Sequence, residues 1–194
     1  MKKFKILFIA VLLIGVLAAS TVLCACDGNT PEDSKYVIDP FVEQQYDDLK
    51  VNIYNDGGLH LKSNNYSAMI KSVKELSAFC NEDNSPIFEK RDEMFVNQNE
   101  GIINVLKKYN KEFFKNKSLI VLFRTKGSSG YFYNFKDYSV NDAQLDITLS
   151  MKLPKEPCSY PADMMVFIYV LEFDKAKVSS VLQINVKEIQ EQED

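Results

Sequence analysis

The chain has 194 residues, of which 46% are hydrophobic and 26% are charged, and its 27 acidic side chains outnumber 23 basic ones. That length suits one domain with a proper core, since domains commonly run to about 100–200 residues. An acidic chain lacks the attraction that drives binding to nucleic acids and to anionic lipid surfaces, which excludes both as main roles.

The first 25 residues are typical of a secretory signal peptide. Three lysines precede an uninterrupted run of apolar and small residues that ends at Leu23, and this order is the one that a signal peptide shows. A membrane-spanning anchor remains an alternative on length alone, because a span needs about 20 apolar residues. The sequence Leu23-Cys24-Ala25-Cys26 favours the signal. It resembles the lipobox of bacterial lipoproteins, with an aliphatic residue three positions before the modified cysteine and a small residue just before it.

This resemblance implies cleavage before Cys26 and a diacylglyceryl group on its thiol. The protein would then be anchored to the outer side of the bacterial cytoplasmic membrane. Two acyl chains are enough for stable anchoring, because each buried methylene contributes about 0.8 kcal/mol. Cleavage would leave 169 residues with 20 basic and 27 acidic side chains, a net charge of −7.

Composition divides the chain into four predicted segments. Residues 1–25 are the signal peptide, and residues 26–48 are the lipid anchor with a flexible tether, since the stretch from Asp27 to Lys35 has no apolar residue to bury. Residues 49–189 form a single domain. Residues 190–194 are an acidic tail.

The first half of the domain mixes strands and helices. Residues 51–54 and 59–62 flank Asn55-Asp56-Gly57-Gly58 and predict a hairpin. A short strand is expected from Tyr66 to Ile70. Ser72-Val73-Lys74-Glu75 then fits a capping box that opens a helix ending near Cys80. A second helix is predicted over Glu100–Tyr109, followed by a short helical turn.

The second half is β-structure. The apolar run at 119–123 predicts a central strand covered on both faces, and the strand at 131–135 follows it. Alternation from Leu145 to Leu153 predicts a strand with one buried and one wet face. Two more strands are expected over 164–173 and 182–186. The fold class is therefore α+β: an antiparallel sheet, a meander, with two helices packed on it.

The sequence gives little support for catalysis. His60 is the only histidine, its leucine neighbours point to the opposite face of a strand, and no nucleophile pattern accompanies it. We predict a solvent-facing, non-catalytic His60 and a protein that is not an enzyme. Cys80 and Cys158 are compatible with one disulfide or with two separate thiols, and their spacing is not that of a metal site. No cofactor is expected.

Two loops are candidate binding surfaces. One contains Ser128, Ser129, Gly130 and Tyr131 between two strands, and the other runs from 154 to 163 and contains Pro157 and Tyr160. Proline-stiffened loops with an exposed tyrosine suit protein recognition, because binding orders them at little entropic cost. Ordinary turn chemistry is the alternative for both.

Five features of the domain occur together: Ile70-Lys71-Ser72 with Glu75-Leu76 and Phe79, the stretch from Glu112 to Val121, the turn at 128–131, the alternating strand, and an apolar strand running into Glu172-Phe173-Asp174-Lys175. This set resembles the PrcB-like family of exported bacterial proteins, named for a protease-complex subunit. The likeness runs from about Ile70 to Ile189. It implies a small non-catalytic module that associates with another exported protein, for which a protease is one candidate, and it transfers no catalytic residue.

A second likeness gives an alternative function. Ser128-Ser129-Gly130-Tyr131 is similar to the Thr-Thr-Gly-Tyr loop of chagasin-like inhibitors of papain-type cysteine proteases. Those inhibitors use two further loops, one glycine-rich and one with an Arg-Pro-aromatic element, and neither is apparent in this chain.

Overall fold

The computed structural model describes residues 38–89, 99–127, 132–153 and 164–192, which lie in one compact unit. In that part of the chain there are eight strands and three short helices. The strands are β1 (Val42–Gln45), β2 (Leu49–Asp56), β3 (Asn65–Ile70), β4 (Lys117–Lys126), β5 (Phe132–Asn141), β6 (Gln144–Leu153), β7 (Met165–Asp174) and β8 (Gln183–Gln192). The helices are α1 (Val73–Phe79), α2 (Glu100–Lys107) and α3 (Phe113–Asn116).

The strands form two sheets. The larger has the order β1-β2-β7-β4-β3 and is antiparallel throughout, whereas the smaller has the order β5-β6-β8. β5 and β6 are an antiparallel hairpin, and β8 runs parallel to β6 over ten residue pairs. The predicted α+β class, antiparallel sheets with short helices, is confirmed. The strand order departs from the predicted meander because β7, late in the chain, lies between β2 and β4.

Two hydrophobic cores lie on opposite faces of the larger sheet. The helix-side core joins that sheet to α1, α2 and α3, and the sheet-side core joins it to the smaller sheet. β4 contributes to both: Leu119, Val121 and Phe123 belong to the helix-side core, and Ile120 and Leu122 to the sheet-side core. A strand covered on both faces reads as a continuous apolar run, which is why β4 was predictable.

Local chemistry accounts for the helices. Ser72 caps α1, since its hydroxyl accepts a hydrogen bond from the Glu75 backbone N–H at 3.2 Å, and the Glu75 carboxylate accepts one from the Lys71 N–H at 2.7 Å. This is the reciprocal capping that the sequence predicts, except that the Glu75 carboxylate accepts from the residue before the cap and not from the cap itself. In α2, a Cβ added to Gly101 would lie 3.0 Å from Ile38 Cγ2. Glycine there lets the start of the domain pack closely against the helix.

The structure corrects the predicted hairpin and the predicted start of the domain. Residues 59–62 are not a second hairpin strand, because β2 is already flanked by β1 and β7. They pair instead with 87–89, through a Leu61–Phe88 bridge and bonds on either side of it. The domain also begins earlier than residue 49: Val42 of β1 packs on the sheet-side core and the Phe41 ring lies 6.0 Å from that of Phe167.

The end of the domain is corrected as well. β8 extends to Gln192, so most of the predicted acidic tail is strand. Glu191 forms an ion pair with Lys136 of β5, and that contact lowers the pKa of Glu191. Pairing with β6 and this ion pair explain why a polar sequence is held in a sheet.

Candidate functional site

The two predicted binding loops are carried by strand ends that lie at one end of the domain. Lys126, the last residue of β4, pairs with Met165 at the start of β7, and Phe132 at the start of β5 pairs with Lys152 near the end of β6. The loop 126–132 and the loop 153–165 therefore leave and re-enter neighbouring strands. We call this end of the domain the loop end.

A polar cluster joins the two sheets at the loop end. Arg124 and Lys126 on β4 both face Glu188 on β8: Arg124 Nε lies 3.6 Å from Glu188 Oε1, and Lys126 Nζ donates to Glu188 Oε2. Lys126 Nζ also lies 5.7 Å from the centre of the Tyr133 ring. We call Arg124, Lys126 and Glu188 the Arg124 cluster.

Arg124 is nearly inaccessible, with 6% of its surface exposed. Its Nη1 donates to the carbonyls of Tyr66 at 2.8 Å and Phe123 at 2.7 Å, and its Nη2 donates to Ser67 Oγ at 3.0 Å. Burial lowers the pKa of the guanidinium, and the Glu188 carboxylate opposes that shift. The side chain stays charged at neutral pH because arginine does not deprotonate in proteins. With this many donors satisfied, its role is to fix β3, β4 and β8 relative to each other.

Tyr169 lies in the sheet-side core, where the charges of Glu188 and Arg124 act on the pKa of its hydroxyl in opposite directions. Its side chain is fully buried, and its hydroxyl has no hydrogen-bond partner in the part of the chain that the structure describes. Burial raises the pKa of this hydroxyl. It therefore stays protonated and is not poised to act as a base.

His60 is half-buried in the segment that follows β2. Its backbone N–H donates to Asn99 Oδ1 at 3.1 Å, and its carbonyl accepts from the Glu89 N–H at 3.0 Å. The sequence pattern predicts that it lies on a strand and faces water. Because residues 59–62 pair with 87–89, its backbone anchors a loop.

Cys80 is a free, buried thiol at the end of α1. Burial raises its pKa to about 11, and the charge of Lys107 acts in the opposite direction. A thiol with that pKa is almost entirely protonated at neutral pH and is a poor nucleophile. Cys158, for which the sequence leaves a disulfide to Cys80 and a separate thiol both open, lies outside the described residues.

The other predicted site residues also fall outside the described ranges. They are the lipidation site Cys26 and the loop residues Ser128, Ser129, Gly130, Tyr131, Pro157 and Tyr160. What the structure supplies is the position of the strand ends that carry the two loops. Within the described ranges, no cluster of His, Cys, Asp and Glu is arranged to hold a metal ion. No helix in those ranges has the length and apolar character to cross a bilayer.

Comparisons with family models, with curated proteins and with solved structures give no match for this chain. The site must therefore be interpreted from its own residues. The Arg124 cluster was the part that sequence reasoning missed. An arginine after an apolar run is typical of the solvent-exposed end of a strand. Its partner Glu188 is also far away in the sequence, so no local pattern connects the two.

Proposed function

We propose that this protein is a lipoprotein, anchored through Cys26 on the outer side of the bacterial cytoplasmic membrane, that binds another exported protein without catalysing a reaction. The lipobox-like sequence supports the anchor. The PrcB-like resemblance supports a protein partner and makes an exported protease the class to test first.

One observation carries the binding role: the two loops predicted for recognition leave from hydrogen-bonded, neighbouring strand ends. β4 and β7 are central strands whose ends at Lys126 and Met165 are held side by side. The Arg124 cluster ties β8 of the smaller sheet to β4. Binding residues are commonly found on loops that a rigid scaffold positions, because the scaffold bears the cost of ordering them.

A site-specific photocrosslinking experiment tests this role in intact cells. A photoreactive phenylalanine would replace Tyr131 or Tyr160 in the full-length protein, and Tyr46 would serve as the control. Tyr46 is 37% exposed and lies in the β1–β2 turn, away from the loop end. We expect one discrete adduct from Tyr131 or Tyr160 and none from Tyr46. Absence of adducts from both loops, or equal adducts from all three sites, would contradict the proposal.

The anchor is tested separately. Cys26→Ala should abolish incorporation of labelled fatty acid and leave an uncleaved precursor, whereas Cys24→Ala should do neither. Mass spectrometry of the mature protein measures both. An unmodified Cys26 in the wild-type protein would rule out the anchor and leave the binding role to stand on the crosslinking result alone.

The likeness at 128–131 supports a second candidate function, inhibition of a papain-type cysteine protease. Titrating papain with the protein tests it directly. Loss of activity at stoichiometric protein, relieved by Gly130→Asp, would favour inhibition, and unchanged papain activity at micromolar protein would exclude it for this enzyme.

A further inference from the structure

The outer edge of β3 differs from the other sheet edges. β3 ends the larger sheet, and among the residues that the structure describes its one neighbour in the sheet is β4. The edge strands β1, β5 and β8 all carry charged side chains, among them Glu43, Lys136 and Lys187. β3 reads Asn-Tyr-Ser-Ala-Met-Ile and carries none. Charges on edge strands prevent sheets from pairing edge to edge, so this is the one described edge that lacks that protection.

The hydrogen-bond register shows which backbone groups of β3 are free for a new strand. The Thr125 N–H donates to the Asn64 carbonyl at 2.8 Å, and residues two apart continue that ladder. The N–H and C=O groups of Tyr66, Ala68 and Ile70 therefore face β4. Those of Asn65, Ser67 and Met69 face outward. Among the described residues, the one bond made to these outward groups is from Ser63 Oγ to the Asn65 carbonyl.

A groove accompanies this edge. Ser67 and Met69 of β3 line it together with Val181, Leu182 and Ile184 at the start of β8, and its volume is about 270 Å³. Leu182 is 88% exposed, more than any other large hydrophobic side chain in the described ranges. Leu182 is therefore an apolar side chain that a strand pairing with this edge would remove from water.

We propose that this edge pairs with the same edge of a second copy of the chain, antiparallel across a two-fold axis at Ser67. Self-pairing fits because β3 is uncharged, so no like charges face each other across the axis. Centring the axis on Ser67 places Asn65 opposite Met69 of the second copy and uses all the outward groups of both strands. The two larger sheets then form one continuous sheet. This inference is independent of the proposed function.

Cysteine crosslinking of the full-length protein in cells tests the register directly. In a Cys158→Ser background, Ser67→Cys should give a disulfide-linked dimer under mild oxidation. The two copies of residue 67 would be about 5.5 Å apart at Cα, within disulfide range. Asn65→Cys alone should not crosslink, since its two copies would lie about 14 Å apart. Coexpressed Asn65→Cys and Met69→Cys chains should crosslink to each other.

Asn65 is the discriminating control because it is more exposed than Ser67. Random collisions would favour the Asn65→Cys dimer, whereas the proposed register favours the Ser67→Cys dimer. Failure of Ser67→Cys to crosslink, or equal yields from the two single variants, would overturn the proposal. A Ser67→Cys adduct to a different protein, identified by mass, would also overturn it.

Leu182 supplies a second measurement. Leu182→Ser, made in the Ser67→Cys background, should lower the dimer yield about fivefold because the covered leucine is lost. Met164→Ser is the matched control, since Met164 is also an exposed apolar side chain, at 61%, and lies beside β7 and not on the β3 edge. Equal yields from Leu182→Ser and Met164→Ser would contradict a role for the groove.

Discussion

Two buried or partly buried tyrosines show opposite uses of a hydroxyl. Tyr138 donates to Asp48 Oδ1 at 2.7 Å, and burial followed by that bond raises its pKa to about 12. Tyr169 is buried without a partner for its hydroxyl in the described chain. An unsatisfied buried polar group costs free energy, whereas a bonded one contributes to stability.

Tyr169→Phe should therefore raise the free energy of unfolding by about 1 kcal/mol. Tyr138→Phe, the matched control, should lower it by a similar amount because the bond to Asp48 is lost. Urea denaturation of both variants measures the difference. A destabilised Tyr169→Phe would mean that this hydroxyl bonds a group not yet accounted for.

The contacts of the Asp48 carboxylate predict that the free energy of unfolding depends on pH. The Tyr138 hydroxyl and then the Lys177 ammonium, 3.1 Å from Oδ2, hold the pKa of Asp48 below its usual value. The unfolded chain consequently takes up this proton first as the pH falls. The stabilising contribution is complete above the unfolded-state pKa of about 3.9 and declines as the pH drops through the lower folded-state pKa.

Asp48→Asn should cost about 1 kcal/mol at pH 7, and the difference from wild type should shrink towards pH 3. Unfolding titrations at both pH values check this. Asp47→Asn is the control, because Asp47 is exposed and adjacent in sequence. A difference that stays constant between pH 7 and pH 3 would show that the carboxylate charge is not what stabilises the turn.

At the scale of the element, α1 depends on its cap. It has only seven residues, and a helix that short gains little from its own backbone bonds. Ser72→Ala should therefore lower stability by about 1 kcal/mol, and Ser72→Asp should restore most of it. Thermal denaturation followed by circular dichroism compares the three proteins. If Ser72→Asp were as unstable as Ser72→Ala, packing and not capping would hold the start of α1.

Elements whose evidence is local were predictable from the sequence. The alternation in β6 and the apolar run in β4 identified both strands, and the Ser72–Glu75 spacing identified α1. The segment at 59–62 alternates as well, and this pattern predicts a strand paired with β2 that the structure does not contain. This segment cannot pair with β2, because β1 and β7 already occupy both edges of β2. A local sequence pattern contains no information about those distant neighbours.

Pairing between distant elements was not predictable for the same reason. β8 lies parallel to β6, although the stretch from Lys175 to Leu182 joins it to β7 of the other sheet. The Arg124 cluster depends on that pairing, because Glu188 reaches Arg124 only when β8 closes on β3 and β4. The loop end could be proposed as a binding surface from composition, but the position of its supporting strands required the structure.

At the scale of the molecule, β4 and β7 connect the two cores. Each strand sends alternate side chains into the helix-side and the sheet-side core. Loss of packing on one face therefore weakens a strand that the other face needs, and the domain should unfold as one cooperative unit.

Leu122→Ala, on the sheet-side face of β4, should lower the free energy of unfolding by about 3 kcal/mol. Hydrogen exchange should show the same loss of protection in β6 and in α2, although α2 packs only on the opposite face. Met164→Ala is the control, because Met164 is an exposed apolar side chain, at 61%, whose loss should leave both unchanged. Loss of protection in β6 alone would show that the two cores unfold separately.

The central position of β7 also determines the order in which the strands of the larger sheet can pair during synthesis. β2 and β4 have no contact in the sheet until β7 lies between them, and β7 is synthesised after the β5–β6 hairpin. Until then the apolar residues of β4 have at most β3 beside them. A nascent chain therefore presents an apolar strand, paired on one side at most, to its surroundings. Chaperones that hold unfolded polypeptides should matter more to the yield of this protein than to one built from sequential hairpins.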